Sequence, residues 1–195
     1  MTLSQPVRRK LSHTRQYKCC GYEREDGLYD IEVEMTDVKP HSFDNYDRGY
    51  ISANEPLHHM QMRVTIDESM LIHDVEATTI AAPYSVCPNI TDNYKQLIGL
   101  RIVPGFTEAC RNATSGVNGC THHNDILRIL GTVAYQTMWP ILKRRGDEAK
   151  FKSDKESGQT GKAAPTKPPV LNTCHAYAQS SAIVKRQWPE HFKPE

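Results

Sequence analysis

Residues 58–66 read His58-His59-Met60-Gln61-Met62-Arg63-Val64-Thr65-Ile66. In an extended chain His58, Met60, Met62, Val64 and Ile66 share one face, and His59, Gln61, Arg63 and Thr65 share the other. A period of two with one apolar face predicts a half-buried strand. The stretch Asp30-Ile31-Glu32-Val33-Glu34-Met35 repeats the pattern, with Ile31, Val33 and Met35 inward and three carboxylates outward. Asp67-Glu68-Ser69 reads as a turn, and residues 70–80 as the return strand of a hairpin. Arg63 suits the acidic face of residues 30–34 if those strands are neighbours.

Working outward, residues 1–16 are basic and polar and read as a loose arm, with strand character from Gly21. Lys39-Pro40 ends the first alternating strand, and 41–56 reads as a polar loop. Beyond Ala81-Ala82-Pro83 the period changes. A short helix is expected from Pro88 to Leu100 and another over 106–113. The longest is expected from His122 to about Leu142, with Thr121 as N-cap and Pro140 ending or kinking it. Residues 144–168 are charged and small, as in a solvated linker, and order is expected to resume at Pro169. Strands followed by helices predict an α+β fold, an antiparallel β-sheet packed against a long helix and shorter helices. The expected organisation is an arm at 1–16, one catalytic domain built from 17–143 and 169–195, and a linker at 144–168.

Composition narrows the function. Lys+Arg 24 against Asp+Glu 23 leaves a net charge of +1, so there is no bulk electrostatic footprint for nucleic acid or an anionic membrane. No apolar run reaches the roughly 18 residues of a bilayer span. The N-terminal MTLSQPVRRK lacks the apolar stretch of a secretory signal, so a cytoplasmic protein with reduced thiols is expected. No CxxC pair occurs among the six cysteines, and the sequons at Asn89 and Asn112 read as chance matches.

The nine histidines are the feature to explain. His58 lies on the apolar face of its strand. It is either a core histidine with one hydrogen bond or a general base or metal ligand at the edge of an apolar pocket. His59 points the opposite way. His122 opens the long helix with Asp125 at i+3, where a carboxylate can orient the imidazole. The helix N-terminus disfavours the imidazolium there, although the dipole alone also favours Asp125. His175 and Tyr177, in Thr173-Cys174-His175-Ala176-Tyr177, either staple the tail or close a pocket. Tyr22 and Arg24 either belong to an ion-paired strand start with Asp26, Asp30 and Glu32 or orient a substrate. A zinc alternative draws on His58, His122, His175 and Glu76, without any HExxH spacing to support it.

Several strings together resemble a known family. They are Cys20-Gly21-Tyr22 with Arg24 and Asp26-Gly27-Leu28-Tyr29-Asp30-Ile31-Glu32, His58-x-Met60 with Arg63-Val64-Thr65, and Asp74-Val75-Glu76-Ala77. Ala82-Pro83-Tyr84 with Cys87-Pro88, Gly99-Leu100 with Pro104-Gly105-Phe106, and Gly119-Cys120-Thr121-His122 with Ala134-x-Gln136 complete the set. In that order, over about residues 17–140, they resemble the bacterial domain of unknown function 2889. His59 stands where an acidic residue is more usual, and residues 144–168 fall outside the pattern. The resemblance implies a cytoplasmic protein of aromatic-compound catabolism, similar to lyases that release formaldehyde from lignin-derived aromatic dimers.

The expected function is therefore cofactor-independent carbon–carbon cleavage of a small aromatic substrate by general acid/base catalysis. His58, His122 and Tyr22 are the catalytic candidates, and Arg24, Arg63, Asp125, His175 and Tyr177 the binding candidates. No metal is expected, and no Gly-rich phosphate loop calls for a nucleotide. Neither nucleic acid nor membrane is an expected partner, and a homodimer is left open. A metal-dependent hydrolase or lyase and a non-enzymatic binding protein of a catabolic operon are the alternatives.

Overall fold

Six strands and then helices follow one another along the chain. In the computed structural model, β1 (Thr14–Glu23), β2 (Tyr29–Val38), β5 (Pro56–Ile66) and β6 (Ile72–Ala81) form one antiparallel sheet in the order β1-β2-β5-β6. The structure describes residues 2–157, 168 and 170–194, with 146–157 as backbone only. The chain divides into two compact units, Met1–Gly146 and Asp147–Glu195.

The alternation seen in the sequence sets the faces. In β2, Tyr29, Ile31, Val33 and Met35 are buried while Asp30, Glu32, Glu34 and Thr36 are partly exposed. In β5, Met60, Met62, Val64 and Ile66 are buried on the same side. Two hairpins supply the connections. Gly27, at φ 84°, takes the left-handed turn between β1 and β2, where the Arg24 amide donates to the Leu28 carbonyl at 2.9 Å. Between β5 and β6, Asp67 accepts from the amides of Ser69 (2.8 Å) and Leu71 (3.1 Å).

The first strand starts at Thr14, inside the stretch expected to be a loose arm, because it pairs with β2 along its full length, Thr14 opposite Val38. The expected loop at 41–56 contains a small hairpin, β3 (Phe43–Asn45) with β4 (Gly49–Ile51). Its turn is held by the Asn45 side chain, which accepts from the Arg48 amide at 2.9 Å. The short helix expected at 88–100 is a 3-10 helix at Cys87–Leu97 with Pro88 at its start. Two α-helices follow, α1 (Phe106–Thr114) and α2 (Thr121–Ser157).

Helix α2 brings Ile126, Leu127, Leu130, Ala134, Met138 and Ile141 to the apolar face of the sheet, at the three- and four-residue spacing of a helical stripe. Each such side chain contributes about 1.5–3 kcal/mol by burial. Helix and strand approach closely at Gly21, where an added Cβ would overlap the Thr137 side chain. Pro140 neither ends the helix nor stops it at Leu142. It lies inside, and the helix continues through Ser157, into the segment read as a linker. Residues 158–167 and 169 of that reading lie outside the described residues. No described helix is long and apolar enough to cross a membrane.

In the second unit, a 3-10 turn at His175–Tyr177 precedes α3 (Ala182–Gln187). The Ser181 hydroxyl caps α3 by accepting from the Val184 amide at 3.2 Å. The Asn172 side chain bridges to Gln179 at 2.9 Å, and the Tyr177 ring lies 5.8 Å from that of Trp188. All six cysteines are free thiols.

Candidate functional site

The apolar face of the sheet ends in charge. Asp37 continues the Tyr29-Ile31-Val33-Met35 phase and is 2 % exposed. Across the strands its partners are Arg15 on β1 and His58 on β5. Three polar side chains thus stand in one row on the face otherwise given to the core. Helix α2 brings His122 over this row.

Asp37 is the centre of the cluster. Its Oδ2 accepts from Arg15 Nη2 at 2.7 Å and from His58 Nδ1 at 3.0 Å. Its Oδ1 accepts from Arg15 Nε at 2.8 Å and from His13 Nε2 at 2.9 Å. Burial pushes this carboxyl up, but hydrogen bonds from Arg15 and His13 and the Arg15 charge outweigh it and hold the group at about 2. The same contacts push the Arg15 guanidinium up. Arg15 also donates from Nη1 to Asp125 Oδ2 at 3.1 Å. Asp125 therefore orients the guanidinium instead of bonding the His122 ring, as its i+3 spacing had suggested.

The ionised carboxylate can only accept, so His58 carries its proton on Nδ1 and presents a bare Nε2. Burial first, then the neighbouring His122, pushes His58 down to about 4 against the pull of Asp37. His122 is also pushed down, by burial and then by Arg15. The two rings lie 3.8 Å apart, centroid to centroid, tilted by 32°. His122 Nε2 is 3.8 Å from Asp37 Oδ2, and its Nδ1 is 3.8 Å from the Cys120 sulfur. Two neutral imidazoles can stack this closely, whereas two imidazolium ions would repel. The pair therefore has room for one added proton, beside a carboxylate that stabilises it.

The donor atoms of Asp37, His58 and His122 lie within 4.8 Å of one another, the right chemistry for a divalent cation. Ring placement does not match one. Two imidazoles on a shared tetrahedral zinc, with Zn–N of about 2.0–2.1 Å, hold their centroids about 5 Å apart. Stacked rings at 3.8 Å would have to separate first.

The other residues singled out in the sequence go elsewhere. Tyr22 and Arg63 lie on the opposite face of the sheet, where with Lys18, Cys20, Glu32 and Glu76 they line a shallow groove. Arg63 bridges Glu32 at 2.7 Å and Glu76 at 3.0 Å. The sheet itself stands between these outer-face residues and the histidine pair, so Tyr22 cannot act with it and Glu76 cannot share an ion with it. Arg24 pairs with Asp26 at 2.6 Å and Asp30 at 3.2 Å. His59 faces away from His58 and meets Glu34 at 2.6 Å. His175 and Tyr177 belong to the second unit, and every member of the cluster comes from the first. His123 is fully buried, with Nε2 3.2 Å from the Thr78 carbonyl and its ring 5.2 Å from that of Tyr94.

Sequence reading missed Asp37, Arg15 and His13. The signal was present: Asp37 holds an inward position of the β2 alternation, where a carboxylate requires a partner. Arg15 is likewise in phase with the inward Tyr17 and Cys19 of β1.

No curated protein and no solved structure matches the chain. Residues 13–136 match the family described as Protein of unknown function (DUF2889), a span that begins at His13 and takes in the whole sheet, His58, His122 and Asp125. With well over half of its length matched, the chain belongs to the DUF2889 family.

Proposed function

We propose that this protein is a carbon–carbon lyase acting on an aromatic compound, with the Asp37–His58–His122 cluster as its acid/base machinery. The observation that carries the reading is the hydrogen bond of 3.0 Å from His58 Nδ1 to Asp37, which leaves Nε2 of a neutral imidazole unprotonated in a ring packed on His122. A buried carboxylate that fixes the tautomer of a neutral imidazole is the arrangement a general base needs. The reaction is loss of formaldehyde from a hydroxymethyl group next to a carbon bearing a benzylic oxygen. His58 takes the hydroxyl proton, the C–C bond breaks to release formaldehyde, and its electron pair forms a C=C bond as the benzylic oxygen departs. The proton held on the histidine pair then passes to that oxygen. The cycle needs no oxidant, reductant or net proton, which suits a pair with capacity for one. The family resemblance supports the aromatic substrate, and six free thiols suit a reducing cytoplasm.

The test is formaldehyde release by the full chain from diaryl compounds carrying that hydroxymethyl group. Release that falls about 10²–10⁴-fold in His58→Ala supports the reading. Release that survives both His58→Ala and His122→Ala sinks the assignment of these groups. Activity lost to a chelator and restored by zinc favours the metal-dependent alternative, for which the three donors within 4.8 Å are the specific observation.

A further inference from the structure

We propose that the cavity between α1 and the first two turns of α2 is a binding pocket for one aromatic ring bearing a carboxylate. The cavity measures about 260 Å³. An apolar cavity of roughly 150 Å³ takes up benzene, and drug-sized ligands need about 300–1,000 Å³, so the space suits a single substituted ring. Its floor is buried and mostly apolar: Leu127 is 3 % exposed, Cys110 5 % and Thr114 1 %, with the Thr114 hydroxyl satisfied by the Cys110 carbonyl at 2.9 Å. Burial pushes the Cys110 thiol up to about 11, so the floor stays uncharged at neutral pH.

The rim carries Arg111 and Arg128. Arg111 is engaged by Glu108 at 2.9 Å. Among the described residues no carboxylate pairs with Arg128, which leaves its guanidinium for an anion at the pocket mouth. Asp125 forms part of the wall, but its Oδ2 is taken by Arg15 at 3.1 Å. An apolar floor with one uncompensated guanidinium at the mouth fits a planar apolar body with one carboxylate, which Arg can grip with two parallel N–H donors. The Asp125–Arg15 pair also links the pocket wall to Asp37, so a ring seated here lies next to the acid/base cluster. The role of this pocket in turnover rests on the lyase reading. Its ligand does not. A two-ring substrate would seat only one ring in it.

The experiment is calorimetric titration of the full chain with benzoate, with benzamide as the uncharged isostere. Benzoate binds saturably and more tightly than benzamide. Arg128→Gln, on the exposed rim, weakens benzoate about tenfold, the effect of one charge-assisted contact, and leaves benzamide within twofold. Thr107→Trp, also on the rim, fills the mouth and removes binding of both. His58→Ala leaves benzoate affinity within twofold, because His58 does not line the pocket. Equal affinities for the two probes, an unchanged benzoate affinity in Arg128→Gln, or no benzoate binding at tens of millimolar overturns the proposal. If benzoate binds as stated while formaldehyde release survives His58→Ala, the pocket stands and the lyase reading falls.

Discussion

Two rows of side chains cross the same sheet on opposite faces. On the inner face Arg15, Asp37 and His58 are cross-strand neighbours, and on the outer face Cys20, Glu32, Arg63 and Glu76 are. Both rows contain an arginine that bridges carboxylates at about hydrogen-bond length: Arg15 reaches Asp37 and Asp125, and Arg63 reaches Glu32 and Glu76. The difference is what covers them. The Asp37 and His58 side chains are 3 % and 12 % exposed, whereas those of Arg63, Glu32 and Glu76 are 48 %, 37 % and 69 % exposed. Solvent screens the outer pairs to a small net worth. Beneath α2 the same chemistry is desolvated, so an unpaired charge becomes costly and imidazoles stay neutral. What separates the two rows is the helix laid over one face, not the residue types.

The comparison breaks most readily at His58. His58→Ala is expected to lower formaldehyde release about 10²–10⁴-fold, while Tyr22→Phe on the outer face changes it less than about threefold. Comparable losses in the two variants would remove the distinction between the faces. Next comes Asp37→Asn, which leaves the Arg15 charge without its main partner. Urea unfolding should register a loss of about 3 kcal/mol. The outer-face counterpart Glu32→Gln, in a half-exposed pair, should cost under 1 kcal/mol by the same measurement.

The pH dependence sharpens the contrast. His58 is held at about 4, below its ordinary value near 6.5, and His122 is shifted the same way. The unfolded chain therefore binds protons first, and stability declines as pH falls from about 6.5 towards 4. Asp37, held at about 2, adds a second decline between about 4 and 2, worth about 2 kcal/mol. Denaturant midpoints measured from pH 7 to 3 should show the first decline. Asp37→Asn should extend the His58 part of it to lower pH and deepen it, because the carboxylate that favours the imidazolium in the folded chain is gone. An unchanged curve would mean that His58 does not feel Asp37. A smaller effect comes from Gly21→Ala, whose new Cβ meets Thr137 on α2. It should cost about 1–3 kcal/mol by thermal unfolding, the usual range for overpacking. The least effect is expected from Arg63→Ala, within about 1 kcal/mol.

Most of the sheet was legible in the sequence because a period of two on a half-buried surface has one physical reading. His58 could be placed on the inner face for that reason, and His122 at a helix start from Thr121 and the helical spacing beyond it. Asp37 was just as much in phase, within the strand that Lys39-Pro40 ends, but it was not singled out. The alternation does not report that this inward carboxylate is a buried charge with partners at His13 and on β1, β5 and α2. Helix α2 ran past Pro140 for a related reason. Local propensity argues for a stop there, yet Ile141 still buries against the core.

Sequence alone determined the strands at 30–35, 58–66 and 70–80, which face of each turns inward, and that His58 and His122 were the histidines to examine. Only the tertiary structure decided which carboxylate joins them. Asp37, Arg15 and His58 are separated by more than twenty residues and meet through strand register. His122 reaches them because α2 packs across that face. Sequence spacing can report the face of a strand, but the partner across the sheet and the desolvation that tunes its charge are set by packing.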